Sequence, residues 1–190
     1  MTIHWKDLPK LTSIGQYEVN QPLEDLKSVV DRYVSEFGLN LLPDFQRGHV
    51  WNKDQKVCYI EFLLMGGSTN NVLYFNHPGW MDSFKGEFVI VDGLQRLTAI
   101  LEFLDNKFKA FGYRSSNINL RNYWGLKFNI NNLKTRKEVL QWYLEINSNG
   151  TPHTEKELEK VKRLIKEETI GILSPSKSYK IVKSSCEKSS

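Results

Sequence analysis

The sequence predicts an α+β fold, a small mixed sheet packed with several helices. Three observations carry this. Phe88-Val-Ile-Val91 is a continuous apolar run of the kind found in a buried strand. Asp92-Gly93 breaks that run, and Leu97, Ile100, Leu101 and Leu104 then recur at helical spacing. Across the rest of the chain, short strand patterns are mixed with longer amphipathic ones, and no internal repeat is visible.

The elements follow in order. Residues 1–20 read as an irregular lead-in with some extended pieces. Pro22 stands near a start, and Leu23, Leu26, Val29, Val30, Tyr33, Val34 and Phe37 predict an amphipathic helix over 22–37, closed by Gly38. Asn40 to Leu42 is extended, and Pro43-Asp44 turns the chain. Asn52 and Gln55 have capping-box spacing at the start of a helix over 52–65, which Gly66-Gly67 ends. Asn71–Phe75 and Glu87–Val91 read as strands of one sheet, separated by a loop holding Pro78, Gly79 and Trp80. Asp92 and Gln95 repeat the capping-box spacing ahead of a helix over 94–104. Leu126, Phe128 and Ile130 alternate like another strand. Thr135 with Glu138 caps a helix over 135–147, and Thr154 with Glu157 caps another over 154–168. The expected organisation is one domain over residues 1–173 and a flexible Ser/Lys-rich tail over 174–190.

Composition narrows the class. A hydrophobic share of 40%, with five Trp and ten Phe, is enough for a core and argues against disorder. No apolar run reaches eighteen residues, so no membrane span is expected. Met1–Gly15 contains Lys6, Asp7 and Lys10 and no continuous apolar block, so no signal peptide is expected there. Cys58 and Cys186 lie far apart, which argues against a structural disulfide and fits a reducing cytoplasm. The net charge of +4 is concentrated in the tail, where four lysines face Glu187; the rest of the chain carries about +1. DNA binding by the domain alone is therefore expected to be weak and to come from a local patch or from the tail.

Three segments carry candidate chemistry. The Asp92-Gly93-Leu94-Gln95-Arg96 turn places Gln95 and Arg96 in the first turn of a helix, where unpaired N–H groups and partial positive charge favour an anion. The plainer alternative is a capping box with Arg96 on the surface. Pro43-Asp-Phe-Gln46-Arg47-Gly-His-Val-Trp51 joins an extended segment to a helix and again sets Gln beside Arg. Its alternative is a loop with Phe45 and Trp51 buried and Arg47 solvated. Leu144–Pro152 joins two helices through Asn147, Asn149 and Gly150, and alone it reads as a plain turn. His4, His49, His77 and His153 have no metal-ligand spacing and read as surface or loop residues. His49 follows Arg47 closely enough to act as an acid or base, although the loop reading is preferred.

Together the three segments resemble the N-terminal domain of GmrSD-type modification-dependent restriction enzymes, of the ParB/sulfiredoxin-like superfamily. The resemblance covers roughly residues 20–170. It rests on Pro-x-Phe-Gln-Arg…Trp, then Asp-Gly-x-Gln-Arg-Leu-Thr, then Asn-x-x-Gly-Thr-Pro, in that order. It implies a ParB/sulfiredoxin-like fold and a domain that binds and hydrolyses a nucleoside triphosphate, coupled to attack on foreign DNA. The implied catalytic positions are Asp92, Gln95 and Arg96. The implied nucleotide-binding positions are Gln46, Arg47, Gly93, Asn147 and Gly150. One departure is Leu94, which stands where the family usually has Gln. If that Gln orients water or phosphate, hydrolysis here is weak or absent; if it faces the core, nothing changes.

On this reading Arg47 and Arg96 neutralise phosphate oxygens, and Gln46 and Gln95 orient substrate or water. Asp92 positions the arginine, accepts a proton or holds Mg²⁺ through water. Arg47 and Arg96 are expected to face one cleft, with Asp92 nearby and Asn147 on its rim. A second reading is a ParB-like nuclease or nickase, with Asp44 and Asp92 as its only motif-linked carboxylates. A third is a non-catalytic module that binds DNA or a partner. Larger family members append a His-Asn-His-type nuclease domain. No such motif is present in these residues, so cutting is expected to need a partner nuclease subunit.

Overall fold

In the computed structural model, residues 3, 8, 17–48, 50–121, 123, 125–148 and 155–173 are described. Five strands form one sheet: β1 (Tyr17–Gln21), β2 (Leu39–Asn40), β3 (Val72–Asn76), β4 (Phe88–Asp92) and β5 (Leu126–Asn131). Their order is β1-β5-β3-β4-β2. β1 is antiparallel to β5, with Tyr17 opposite Ile130. β5 runs parallel to β3, β3 antiparallel to β4, and β4 parallel to β2. The sheet is mixed and the fold is α+β.

The continuous apolar run of β4 has a direct cause, because helices cover the sheet on both sides. Phe88 and Ile90 join a core with α1 (Leu26–Phe37), α2 (Lys53–Leu64) and α3 (Leu94–Leu104). Val89 and Val91 point the other way, into a second core with α4 (Arg136–Ser148) and α5 (Glu155–Leu173). A strand buried on both faces loses the polar alternation of a half-exposed one.

The local signals act as expected at several ends. Asn52 and Gln55 form a reciprocal capping box, with both bonds at 2.9 Å. Thr135 donates to Glu138 through N–H and hydroxyl, each at 2.8 Å. Gly38 closes α1 in the left-handed conformation. Pro22 precedes a short 3₁₀ turn, Leu23–Asp25, before α1 begins.

Three expectations change, and one alternative reading drops out. Residues 17–21 are no lead-in, because Tyr17 and Val19 pack on the first core and the segment pairs with β5 along its length. Asp92 and Gln95 make no capping box: Gly93 is the N-cap of α3 and no side chain caps it. The alternative that put Arg96 on the surface drops out, because its side chain is only 12% exposed. His77 is buried at the end of β3, its Nδ1 accepting from the Gly79 N–H and burial lowering its pKa. His49, Gly150, Thr154 and the tail lie outside the described residues. Among the described residues no helix is long and apolar enough to cross a membrane.

Candidate functional site

The loop after β2 crosses the edge of the sheet. Phe45 sinks into the core beneath α4 and α5, edge-on to Tyr143 with ring centroids 5.1 Å apart. Trp51 packs on the opposite core, edge-on to Tyr59 at 5.4 Å. Between these anchors the chain passes the C-terminal end of β4. β2 pairs only with Phe88 and Val89, so the carbonyls further along β4 need another partner. Gln46 supplies it, its amide donating to Val91 O at 2.8 Å and Ile90 O at 3.2 Å.

Gln95 makes the reciprocal connection. Its Oε1 accepts from the N–H groups of Val50 and Trp51, at 3.0 and 3.2 Å, and its Nε2 donates to Gly48 O at 2.8 Å. The Gln of each Gln-Arg pair thus fastens its own segment to the other. The loop is also held from outside. Arg136, at the start of α4, donates through Nη2 to both carboxylate oxygens of Asp44, at 2.6 and 2.7 Å, and Lys160 of α5 donates to Asp44 O.

Gly93 makes the strand-to-helix turn at φ +103°, a conformation that favours glycine. A Cβ there would also lie 2.4 Å from Leu73 Cδ2. The turn is thus pressed against β3, and it sends Arg96 back along β3. The Arg96 guanidinium pairs with Asp92 and donates to Val72 O at 2.8 Å and Asn70 O at 2.9 Å.

These segments surround a cleft of about 960 Å³. Gln46, Arg47, Asp92, Gly93, Gln95, Arg96 and Asn147 all line it, with Trp51, Tyr59, Phe62, Tyr74 and Tyr143 adding an aromatic wall. Asn147 is tied by its amide to Tyr143 O at 2.7 Å. The two arginines differ in state. Arg96 is engaged by three protein acceptors, whereas the Arg47 guanidinium has no hydrogen-bond or ion-pair partner among the described residues. The Arg47 backbone N–H faces the Tyr143 phenol and favours its ionised form. Burial pushes that phenol up to about 12, with the Arg47 cation pulling the other way. Burial likewise pushes Tyr59 up to about 12, opposed by Arg96.

Asp92 is the single carboxylate among the described lining residues. One of its oxygens holds Arg96, and the other has no hydrogen-bond partner among them. Asp44 is occupied by Arg136 and lines no part of the cleft, so the carboxylate pair of the nuclease reading does not assemble. Leu94 is 4% exposed and belongs to the core beneath the cleft. Sequence reasoning missed the Gln46–Gln95 clamp, the Arg136–Asp44 pair and the aromatic wall.

The molecule is thus an α+β domain with an arginine-lined cleft at the C-terminal end of β4. The model of the GmrSD restriction endonuclease N-terminal domain matches residues 26–189, and the chain belongs to that family. It is thereby related to restriction systems, which act on DNA. Comparison with curated proteins and with solved structures gave no match.

Proposed function

We propose that the cleft binds a nucleoside triphosphate and hydrolyses it slowly, as part of a restriction system directed at DNA. The observation that carries this reading is Arg47, a guanidinium in the cleft with no protein acceptor among the described residues. Such a cation favours an anionic ligand, and a planar, forked donor suits phosphate. Cleft size agrees, since small-molecule sites span roughly 300–1,000 Å³. The aromatic wall offers faces for a base.

Roles then divide between the two arginines. Arg47 contacts phosphate directly. Arg96, held by Asp92 and the β3 carbonyls, supplies fixed positive charge and frames the site. Gln46 and Gln95 act as clamps, so water orientation falls to the free oxygen of Asp92 or to the Asn147 amide. Asp92 also fits Mg²⁺, which takes few protein carboxylates and completes its shell with phosphate oxygens and water. With few groups left to orient water, turnover is slow.

The test is calorimetric titration of the whole chain with ATP, GTP, CTP and UTP in the presence of Mg²⁺. One nucleotide should bind, and Arg47→Ala should weaken it tenfold or more, as expected for a charge-assisted bond of about 1.5–3 kcal/mol. Absence of binding by all four would refute the proposal.

A further inference from the structure

A second surface carries its own chemistry. Between Asp105 and Glu138 the chain holds eight Lys and Arg and no carboxylate. Some of these cations are paired elsewhere, Lys127 with Glu18 and Arg136 with Asp44. Lys107, Lys109 and Arg114 instead stay exposed on one folded loop beyond α3. Asn106 gathers that loop, its carbonyl accepting from Arg114 and its side-chain oxygen from the Ser116 N–H at 3.0 Å.

At the tip, Ala110 and Tyr113 exchange both backbone hydrogen bonds, each at 2.9 Å. Phe111 and Gly112 lie between them at φ +50° and +78°. Two central residues at positive φ mark a type I′ hairpin, for which Asn-Gly is the favoured pair. A bulky residue at positive φ is a genuine outlier. Phe111 gains no burial in return, being 49% exposed, and Tyr113 is 59% exposed. The Phe111 N–H is fixed to Glu61 of α2 at 2.7 Å, so the tip is held in place. A local rule broken without a packing gain marks a site shaped by something other than stability.

We infer that this hairpin is a binding site for single-stranded DNA. Lys107, Lys109 and Arg114 contact phosphates, and a base stacks on Phe111, with Tyr113 beside it. Exposed cations beside exposed aromatics are the pairing that single strands require. An unpaired strand is the better fit, because an intact duplex keeps its base faces stacked. The inference is independent of the cleft's ligand.

The test is fluorescence anisotropy of the full chain with a labelled 20-nucleotide single strand and the matching duplex, at two salt concentrations. The single strand should bind more tightly than the duplex. Lys107→Glu with Lys109→Glu should cost about tenfold or more and flatten the salt dependence. Phe111→Asn should cost about fivefold or more through lost stacking. That variant installs the favoured Asn-Gly turn, so its melting temperature should hold or rise, separating lost binding from lost folding. Lys180→Glu with Lys183→Glu makes the same charge change in the tail and should cost under twofold. Equal loss from the tail variant, equal affinity for duplex, or full binding by Phe111→Asn would each overturn the assignment.

Discussion

Replacing Arg96 with alanine separates framework from ligand contact in the cleft. The side chain is 12% exposed and spends its donors on Asp92, Val72 O and Asn70 O. A hydrogen bond from a charged donor contributes about 1.5–3 kcal/mol, and buried acceptors left unpaired add to the loss. Two features reduce it. Asn70 O also accepts from the Tyr59 hydroxyl at 3.3 Å, and the Asp92 side chain, 27% exposed, can be hydrated. The expected cost is therefore about 3 kcal/mol, not the full sum of three contacts. For a domain of this length that lowers the melting temperature by about 6–12 °C. Arg47→Ala, which removes a guanidinium with no described partner, should stay within about 0.5 kcal/mol. The assay is calorimetric melting of both variants beside the wild type, without nucleotide. A melting temperature unchanged by Arg96→Ala, or a large drop from Arg47→Ala, would refute the division of roles between the two arginines.

Gln95→Ala should free the 48–51 loop at a cost of about 1–3 kcal/mol, because the Val50 and Trp51 N–H groups and Gly48 O each lose their partner; limited proteolysis should then cut in that loop before any other described segment. Gly93→Ala combines a backbone at φ +103° with a Cβ 2.4 Å from Leu73, and urea denaturation should show a loss of about 2–4 kcal/mol. Tyr59 and Tyr143 are raised from 10.0 to about 12 by burial. Their contribution is therefore fully present below pH 10 and is lost as pH rises from 10 towards 12. Stability measured by denaturant should fall across that window, and ultraviolet titration should show both phenols ionising later than exposed tyrosines.

Much of the fold was legible because the signals were local. Capping pairs, glycine stops and apolar spacing located the five described α-helices to within a few residues, except that the last one continues to Leu173. β1 was missed although Tyr17 and Val19 alternate with Glu18 and Asn20, a period-two pattern too short to stand out beside Pro22. The Asp92–Gln95 spacing matched a capping box, yet both side chains found partners in other segments, which spacing cannot reveal. Asp92 turned to Arg96, and Gln95 to the loop ahead of α2. The motif residues were legible as a set, whereas the division into clamps and a free arginine depends on which carbonyls the fold leaves unpaired at the end of β4.

The position of β5 has a consequence for how the chain reaches this fold. β5 lies between β1 and β3, yet it is the last strand in sequence among the described residues. Its pairing with β1 joins Tyr17 to Ile130 across most of the domain. Pairings so distant in sequence are slow to form, because loop closure is costly before contacts repay it. A nascent chain that has emerged only as far as α3 holds β3 and β4 but cannot complete the sheet. During that interval the run from Phe88 to Val91 lacks α4 and α5 over one face. Synthesis thus passes through a stage with an apolar strand uncovered, and that stage is where aggregation competes with folding.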